Sequence, residues 1–410
     1  MMVRSIAVAG LIIGVLGQST ASSQNPGGAA MPAFSQWSTF CGGVEHTTSI
    51  ALGDLDRDGD LDLIFGNGRH LEETDWVYSN NGRGGFYAKR ALGTEADPTY
   101  GVALGDLDGD GALDVVVAND AGDPSVSYRN DGKGNFTWLG NVGRTPEARR
   151  AVALGDLDGD GDLDVILVGL AQDHIYLNEN RGLRWTERPL GTREGAGSRA
   201  TSVAVGDVDG DKDLDIVLPG RYQAPSNVYV NDGKAGFEAR SFGVPADDTT
   251  AVALADVDGD RDLDIVVANW QAPHAIYAND GRGGFTSHAT FGTGRERTWS
   301  VALADMDLDG DLDAVVGNAN ADYWAQDWNG DARNDLEGHR PLEAPSRVYV
   351  NDGTGRMAAG PAFAFGHDNT RPIALGDVDG DGDTDIVMGN DCQPNHVFYN
   401  AIRTAQPPAR

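Results

Sequence analysis

Basic side chains are in short supply: 31 Lys and Arg face 63 Asp and Glu, giving a formal charge of −32. Like charges repel, so nucleic acid and anionic membrane are excluded as natural partners. Cysteine is scarcer still, with two in 410 residues. There is no C-x-x-C, G-x-S-x-G, H-E-x-x-H or phosphate loop to mark an enzyme, and the question of catalysis stays open because active sites can be assembled from distant loops. The eight His stand singly (His46, His174 and His288 among them) and read as surface or packing residues. Long apolar runs are missing apart from residues 6–17, IAVAGLIIGVLG, which follow a basic start ending in Arg4. Too short to span a bilayer and followed by small residues from Ser19 to Ser23, this run reads as a secretory signal in residues 1–23, cleaved after Ala21 or Ser23; a buried core helix is the other reading. The C-terminal AIRTAQPPAR offers no anchor, so the expected location is secreted and extracellular, or periplasmic in a Gram-negative cell. A helix-length 3.6-residue period is absent throughout, which leaves an all-β chain.

What the sequence does hold is a repeat. VALGDLDGDGDLDVILVG (152–169), VALADVDGDRDLDIVVAN (252–269) and IALGDVDGDGDTDIVMGN (373–390) are versions of one unit. Its acidic loop begins at Asp54, Asp106, Asp156, Asp207, Asp256, Asp305 and Asp377, at spacings of 52, 50, 51, 49, 49 and 72 residues. Each copy reads as four short strands: an entry segment, an apolar β-branched run after the loop, a third strand ending in an N-D-G-x-G hairpin signal, and a fourth. Four strands in about 50 residues predict the blade of a propeller, because one blade cannot cover both its apolar faces alone. The expected fold is a seven-bladed β-propeller over residues 34–403, with a flexible lead-in at 24–33 and a disordered tail at 404–410.

Ring closure can be read independently. The seventh copy stops at HVFYN (396–400) without a fourth strand, while FSQWSTFCGG (34–43) matches FTSHATFGTG (285–294) at both Phe residues and the final Gly. The N-terminal strand is therefore expected to complete the last blade. Cys41 would end that strand and Cys392 lies between strands two and three of blade seven, so a disulfide could lock the closure across a loop of about 350 residues. Two free thiols are the alternative.

Every loop follows D-x-D-x-D-x-x-x-D. The sets, including the seventh residue, are Asp54, Asp56, Asp58, Asp60 and Asp62 (54–62); Asp106, Asp108, Asp110, Ala112 and Asp114 (106–114); Asp156, Asp158, Asp160, Asp162 and Asp164 (156–164); Asp207, Asp209, Asp211, Asp213 and Asp215 (207–215); Asp256, Asp258, Asp260, Asp262 and Asp264 (256–264); Asp305, Asp307, Asp309, Asp311 and Asp313 (305–313); and Asp377, Asp379, Asp381, Asp383 and Asp385 (377–385). Calcium takes six to eight oxygens, and carboxylates at positions 1, 3, 5 and 9 with the backbone carbonyl of position 7 supply them. The carbonyl role explains why Ala112 is acceptable at position seven. An EF-hand would end in Glu at position 12 and continue as a helix. Position 12 is Phe65, Val117, Leu167, Leu218, Val267, Val316 and Met388, apolar in every copy. About seven structural Ca²⁺ ions are expected, with sites four and five weakened by Lys212 and Arg261 in place of Gly at position six.

These repeats, with FG at Phe242-Gly243, Phe291-Gly292 and Phe365-Gly366 and LG at Leu92-Gly93 and Leu190-Gly191, resemble the FG-GAP or VCBS repeats of the integrin α-subunit propeller. The resemblance implies a seven-bladed propeller with calcium between strands one and two of each blade.

The opposite face holds the least repetitive sequence. An insertion at 319–346 carries Tyr323, Trp324 and Trp328, and its Asp327, Asn329, Asp331 and Asp335 have the spacing of an eighth calcium loop. Trp76, Trp270 and Tyr222 fall in related loops, and Tyr100, Arg150, Trp299 and Arg371 come just before strand one of their blades, where they would ring the channel mouth. Aromatic platforms suit sugars and arginines suit an acidic group. Three functions follow: an extracellular binding or adhesion module for a glycan or protein, a secreted polysaccharide-active lyase or hydrolase, or a purely structural matrix protein.

Overall fold

In the computed structural model the described residues are 31–40, 45–94, 96–120, 122–143, 147–170, 172–191, 198–222, 224–244, 247–319, 344–364 and 368–402, with the backbone of 7–8 and 11–12. Cys41, Tyr323, Trp324, Trp328, Asp327, Asn329, Asp331, Asp335 and Phe365-Gly366, all singled out from the sequence, lie outside them. Among the described residues between Phe34 and Asn400 the strands form seven four-stranded antiparallel sheets. Blade one is Thr47–Gly53, Asp62–Asn67, Trp76–Ser79 and Ala88–Ala91. Blade five, with longer strands, is Thr249–Ala255, Asp264–Asn269, His274–Asn279 and Phe285–Phe291. Blade seven joins Thr370–Gly376, Asp385–Asn390 and Asn395–Asn400 to Phe34–Phe40, which lies antiparallel to Asn395–Asn400 as the surplus first strand required. The fold is the all-β seven-bladed propeller expected.

Burial explains the strand order. Strand two is apolar on both faces and wholly buried in blades one and five, whereas strand four alternates and faces solvent. Clusters of buried Val, Leu, Ile and Ala bridge adjacent blades, so each blade is covered only when its neighbours are present. The FG and LG dipeptides belong to this contact. Gly93 and Gly243 follow strand four at positive φ, and a Cβ on either would meet the side chain of Tyr128 or Tyr277 in the next blade within 3.0 Å.

Strand one carries a β-bulge at its entrance. Thr47 pairs with Asn67 but Ser49 with Gly66, and the same slip recurs at Thr99/Gly101, Arg149/Ala151, Thr249/Ala251 and Thr298/Ser300. The skipped residues are Thr48, Tyr100, Arg150, Thr250 and Trp299. A bulge re-aims the extra side chain, here at the mouth of the channel.

Cys392 donates its N–H to Glu45 O at 3.0 Å, which holds the chain just after the clasp strand beside blade seven. The backbone of residues 7–8 and 11–12 forms a two-stranded ladder beside strand one of blades two, three, six and seven.

Candidate functional site

Each aspartate loop is built by its own carboxylates. Asp156 accepts the N–H of Gly159 and Gly161 at 2.9 and 3.0 Å, and Asp160 accepts that of Asp162 at 2.9 Å. Positions four and six both take left-handed backbone: Gly159 and Gly161 here, but Arg57 and Leu308 at position four and Lys212 and Arg261 at position six elsewhere. At position six the departures are those expected from sequence; at position four they are found only in the structure.

The ninth aspartate is a hub. Asp164 Oδ2 accepts the N–H of Leu157 and Oδ1 that of Asn178, and the equivalent pair of bonds is present in all seven blades, from Leu55–Asp62–Asn80 to Val378–Asp385–Asn400. The asparagine at the end of strand three then crosses to the preceding blade. Asn178 Nδ2 donates to Leu107 O at 2.9 Å, Asn231 to Leu157 O at 2.8 Å and Asn400 to Met306 O at 2.9 Å. From sequence this asparagine reads only as a turn residue. Its recurrence in all seven copies was the available signal that it does more.

Several loop oxygens are buried without a hydrogen-bond partner: Asp56 Oδ1, Asp106 Oδ1, Asp158 Oδ1 and Asp381 Oδ2. Oxygens of positions one, three and nine converge within 4.8 Å in blades two, three and four. Buried, unpaired carboxylate oxygens are costly unless a cation meets them, so the donor set fits a hard divalent ion. The seventh side chains point elsewhere. The carboxylates of Asp60, Asp213, Asp262 and Asp311 lie against Gly82, Gly233, Gly281 and Gly353 of the hairpin between strands three and four, leaving only their carbonyls for the loop. Blade two differs: Arg129 bonds Asp108 at 2.6 Å and Asp110 at 3.0 Å, placing a guanidinium on positions three and five. Burial raises the ninth aspartates most, with the other loop carboxylates adding to it: Asp62 to about 6, Asp114 and Asp164 to about 7, Asp385 to about 8.

At the opposite end a cavity of about 80 Å³ is lined by Tyr100, Arg150, Trp299 and Arg371, the four residues placed there from sequence, together with Thr48 and Thr201. The threonine ring positions are engaged in the wall: Thr48 bonds Thr99 O, Thr201 bonds Thr250 O and Thr250 bonds Thr298 O, each to the next blade. The long side chains instead meet a second ring of residues just past strand two. Arg150 Nη1 bonds Asp120 at 2.7 Å and its guanidinium lies over the Tyr100 ring at 3.8 Å. Arg371 Nε bonds the buried Asp391 at 2.7 Å, and Arg69 reaches the same oxygen at 3.2 Å. Trp299 has Arg371 and Arg221 over its ring and Trp270 against it at 5.1 Å. Arg221 is fixed by two bonds to Asp248. His70 joins Asp120 to the Tyr100 hydroxyl, with Nε2 2.9 Å from the phenol oxygen. Burial holds the His70 imidazole below its ordinary range, the Arg371 guanidinium below its own, and the Tyr100 phenol above its own. Asp120, Arg221, Trp270 and Asp391 all stand six residues after the ninth aspartate, a register the repeat made readable; Arg69, His70 and Asp248 have no such signal. Trp76 is not at the mouth: it opens strand three of blade one, under Lys89 Nζ at 3.8 Å.

FG-GAP-like repeats match residues 54–117, 106–167, 156–218, 256–316 and 327–388, more than half of the chain. The chain belongs to the FG-GAP-like repeat family. No curated protein matches it in sequence. Among solved structures, this FG-GAP-like repeat protein is similar to an Agrocybe aegerita lectin described for specific recognition of non-reducing terminal N-acetylglucosamine, at 18% identity and TM-score 0.52, covering 89% of this chain and 97% of the lectin. BBS1N, solved in complex with ARL6DN, matches at 11% identity and TM-score 0.58 over 90% of this chain and 96% of its own. YCF48 from Cyanidioschyzon merolae matches at 13% identity and TM-score 0.54 over 89% and 99%. At these identities the likeness is one of fold.

Proposed function

We propose that this chain is an exported, calcium-loaded propeller that recognises a glycan at the channel mouth. One observation carries the reading: ring positions that three blades give to wall threonines hold Tyr100, Arg150, Trp299 and Arg371 in the other four, and these converge on one cavity. Calcium, held by positions 1, 3, 5 and 9 and the carbonyl of position 7, would supply charge neutralisation that lets seven acidic loops stay folded. The lectin neighbour supports glycan recognition on this fold. Removal of the N-terminal run on export would take away the ladder that lies beside strand one of the same four blades. A disulfide from Cys392 to Cys41 would then fasten the clasp, a point that intact mass without reduction decides.

A glycan array tests the reading, with Trp299→Ala and Trp270→Ala as controls. Binding lost in both variants is expected; binding unchanged in both would remove the mouth assignment. A second reading rests on the Asp120–His70–Tyr100 chain, which places a hydroxyl on a proton relay beside guanidinium groups. If the site is a lyase, a uronate polymer incubated with the protein gains unsaturated ends, and Tyr100→Phe abolishes them.

A further inference from the structure

We infer that the mouth cavity is a carboxylate pocket, and that the glycan it takes is an acidic one presenting a hexuronate; this rests on the glycan reading of the same site. The charge is the first argument. Among the described residues Arg69, Arg150, Arg221 and Arg371 meet Asp120, Asp248 and Asp391 there, so these arginines outnumber their carboxylates by one on a chain whose formal charge is −32. A local excess of the opposite sign in a concave, poorly solvated place attracts an anion.

Geometry is the second argument. Each aspartate holds its arginine by part of the guanidinium and leaves the rest. Among the described residues Arg371 engages only its Nε–H, and Arg150 engages only Nη1, with Asp120 and its neighbouring carbonyl Arg149 O. The remaining N–H groups of both belong to side chains that line the cavity. Because Asp391 is nearly fully buried and Arg150 and Arg371 are about nine-tenths buried, the donors are fixed before a ligand arrives. A carboxylate accepts two such N–H bonds in one plane, the pairing arginine is best shaped to make.

The aromatic faces supply the third. A neutral sugar would need an open ring to stack on, but Arg150 lies over Tyr100, and Arg221 and Arg371 lie over Trp299. Those rings hold guanidinium groups in place, and cation–π contact serves that purpose. The acid group of a hexuronate would reach the remaining N–H groups of Arg150 and Arg371, which both line the cavity.

The test is a calorimetric titration of the calcium-loaded protein with methyl glucuronide and with methyl glucoside, which differ in the carboxylate. The glucuronide is expected to bind at least about tenfold more tightly, a preference that shrinks as salt rises. Arg371→Gln, in which Arg69 still holds Asp391, and Arg150→Gln should each reduce that preference to about unity. Melting curves of both variants in calcium report whether they fold, and the wild-type comparison stands without them. Equal binding of the two sugars, or inorganic phosphate and acetate competing as well as the glucuronide, would overturn the inference. If an array meanwhile finds a neutral glycan whose binding is lost in Trp299→Ala, the glycan reading stands and only the carboxylate pocket falls.

Discussion

On the aspartate face the ninth carboxylate of every loop accepts the same two N–H groups, and the strand-three asparagine of every blade reaches the same carbonyl of the blade before it. On the mouth face the residue six places before each loop is threonine in three blades and tyrosine, arginine or tryptophan in four. Both rings are set at fixed registers of one repeat, so the difference is not one of architecture. A ring of blades closes only if each interface is satisfied, and the interface is satisfied by repetition. Where the blade contact is already made, a position can diverge without cost to the fold, and divergence collects at the mouth.

The largest expected effect breaks the comparison on the aspartate side. With calcium at a hundredfold excess over its dissociation constant, each occupied site would contribute about 2.7 kcal/mol. Chelation by EDTA should therefore lower the melting temperature by more than about 10 °C, read by calorimetry. An unchanged melt would remove calcium from the account. Addition of a mouth ligand should move the same transition far less.

The pH dependence should differ between the two calcium states. Without metal, burial raises Asp62, Asp215 and Asp264 to about 6, Asp114 and Asp313 to about 7 and Asp385 to about 8, from an ordinary value of 3.8. The folded state thus binds more protons than the unfolded one. Stability from these groups is full below pH 3.8 and is lost as pH rises to about 8. Calcium requires deprotonated ligands, so its stabilisation grows over the same range. Melting temperatures at pH 5 and pH 8 in EDTA and in calcium should show the gap widening with pH. A gap constant with pH would mean the loop carboxylates do not hold the ion.

How much of this was legible follows from the same contrast. Asp54 to Asp385 announced themselves because seven copies agree, and the borrowed strand at Phe34–Phe40 because one copy was short. Tyr100, Arg150, Trp299 and Arg371 were found by their place in the repeat, which the bulge in strand one turns into a place in space. The asparagine latch was in plain view and misread, since an Asn before Asp-Gly is also what a hairpin turn asks for. His70 and Arg69 could not be read at all. They come from a segment in blade one alone, and only the folded ring brings them to Asp120 and Asp391.

Asn231→Ala should sharpen the comparison at an intermediate magnitude. The change leaves the carbonyls of Leu157 and Leu214 without that donor at the interface of blades three and four. Losing buried partners in this way costs about 2–3 kcal/mol, measurable by urea unfolding in saturating calcium. Tyr100→Phe at the mouth removes hydroxyl contacts to His70 and Arg69 near solvent, and should change stability by about 0.5 kcal/mol or less. Equal losses in the two would show that the mouth is part of the scaffold after all.

The smallest effect lies inside the repeated face. Arg261 and Leu308 hold φ of 81° and 62°, where most of the other loops have glycine. A Cβ in left-handed backbone costs about 1–2 kcal/mol, partly offset because glycine loses more freedom on folding. An added Cβ at Gly59, Gly109, Gly161 or Gly310 would meet nothing within 4 Å, so the penalty at these turns is conformational and not steric. Arg261→Gly and Leu308→Gly should each raise stability by somewhat less than about 1 kcal/mol, and Gly161→Ala should lower it by a similar amount, read by calorimetry in calcium. If instead all three are silent, the ion and not the backbone sets the loop conformation, and the recurring glycine would reflect the calcium site rather than the chain's own preference.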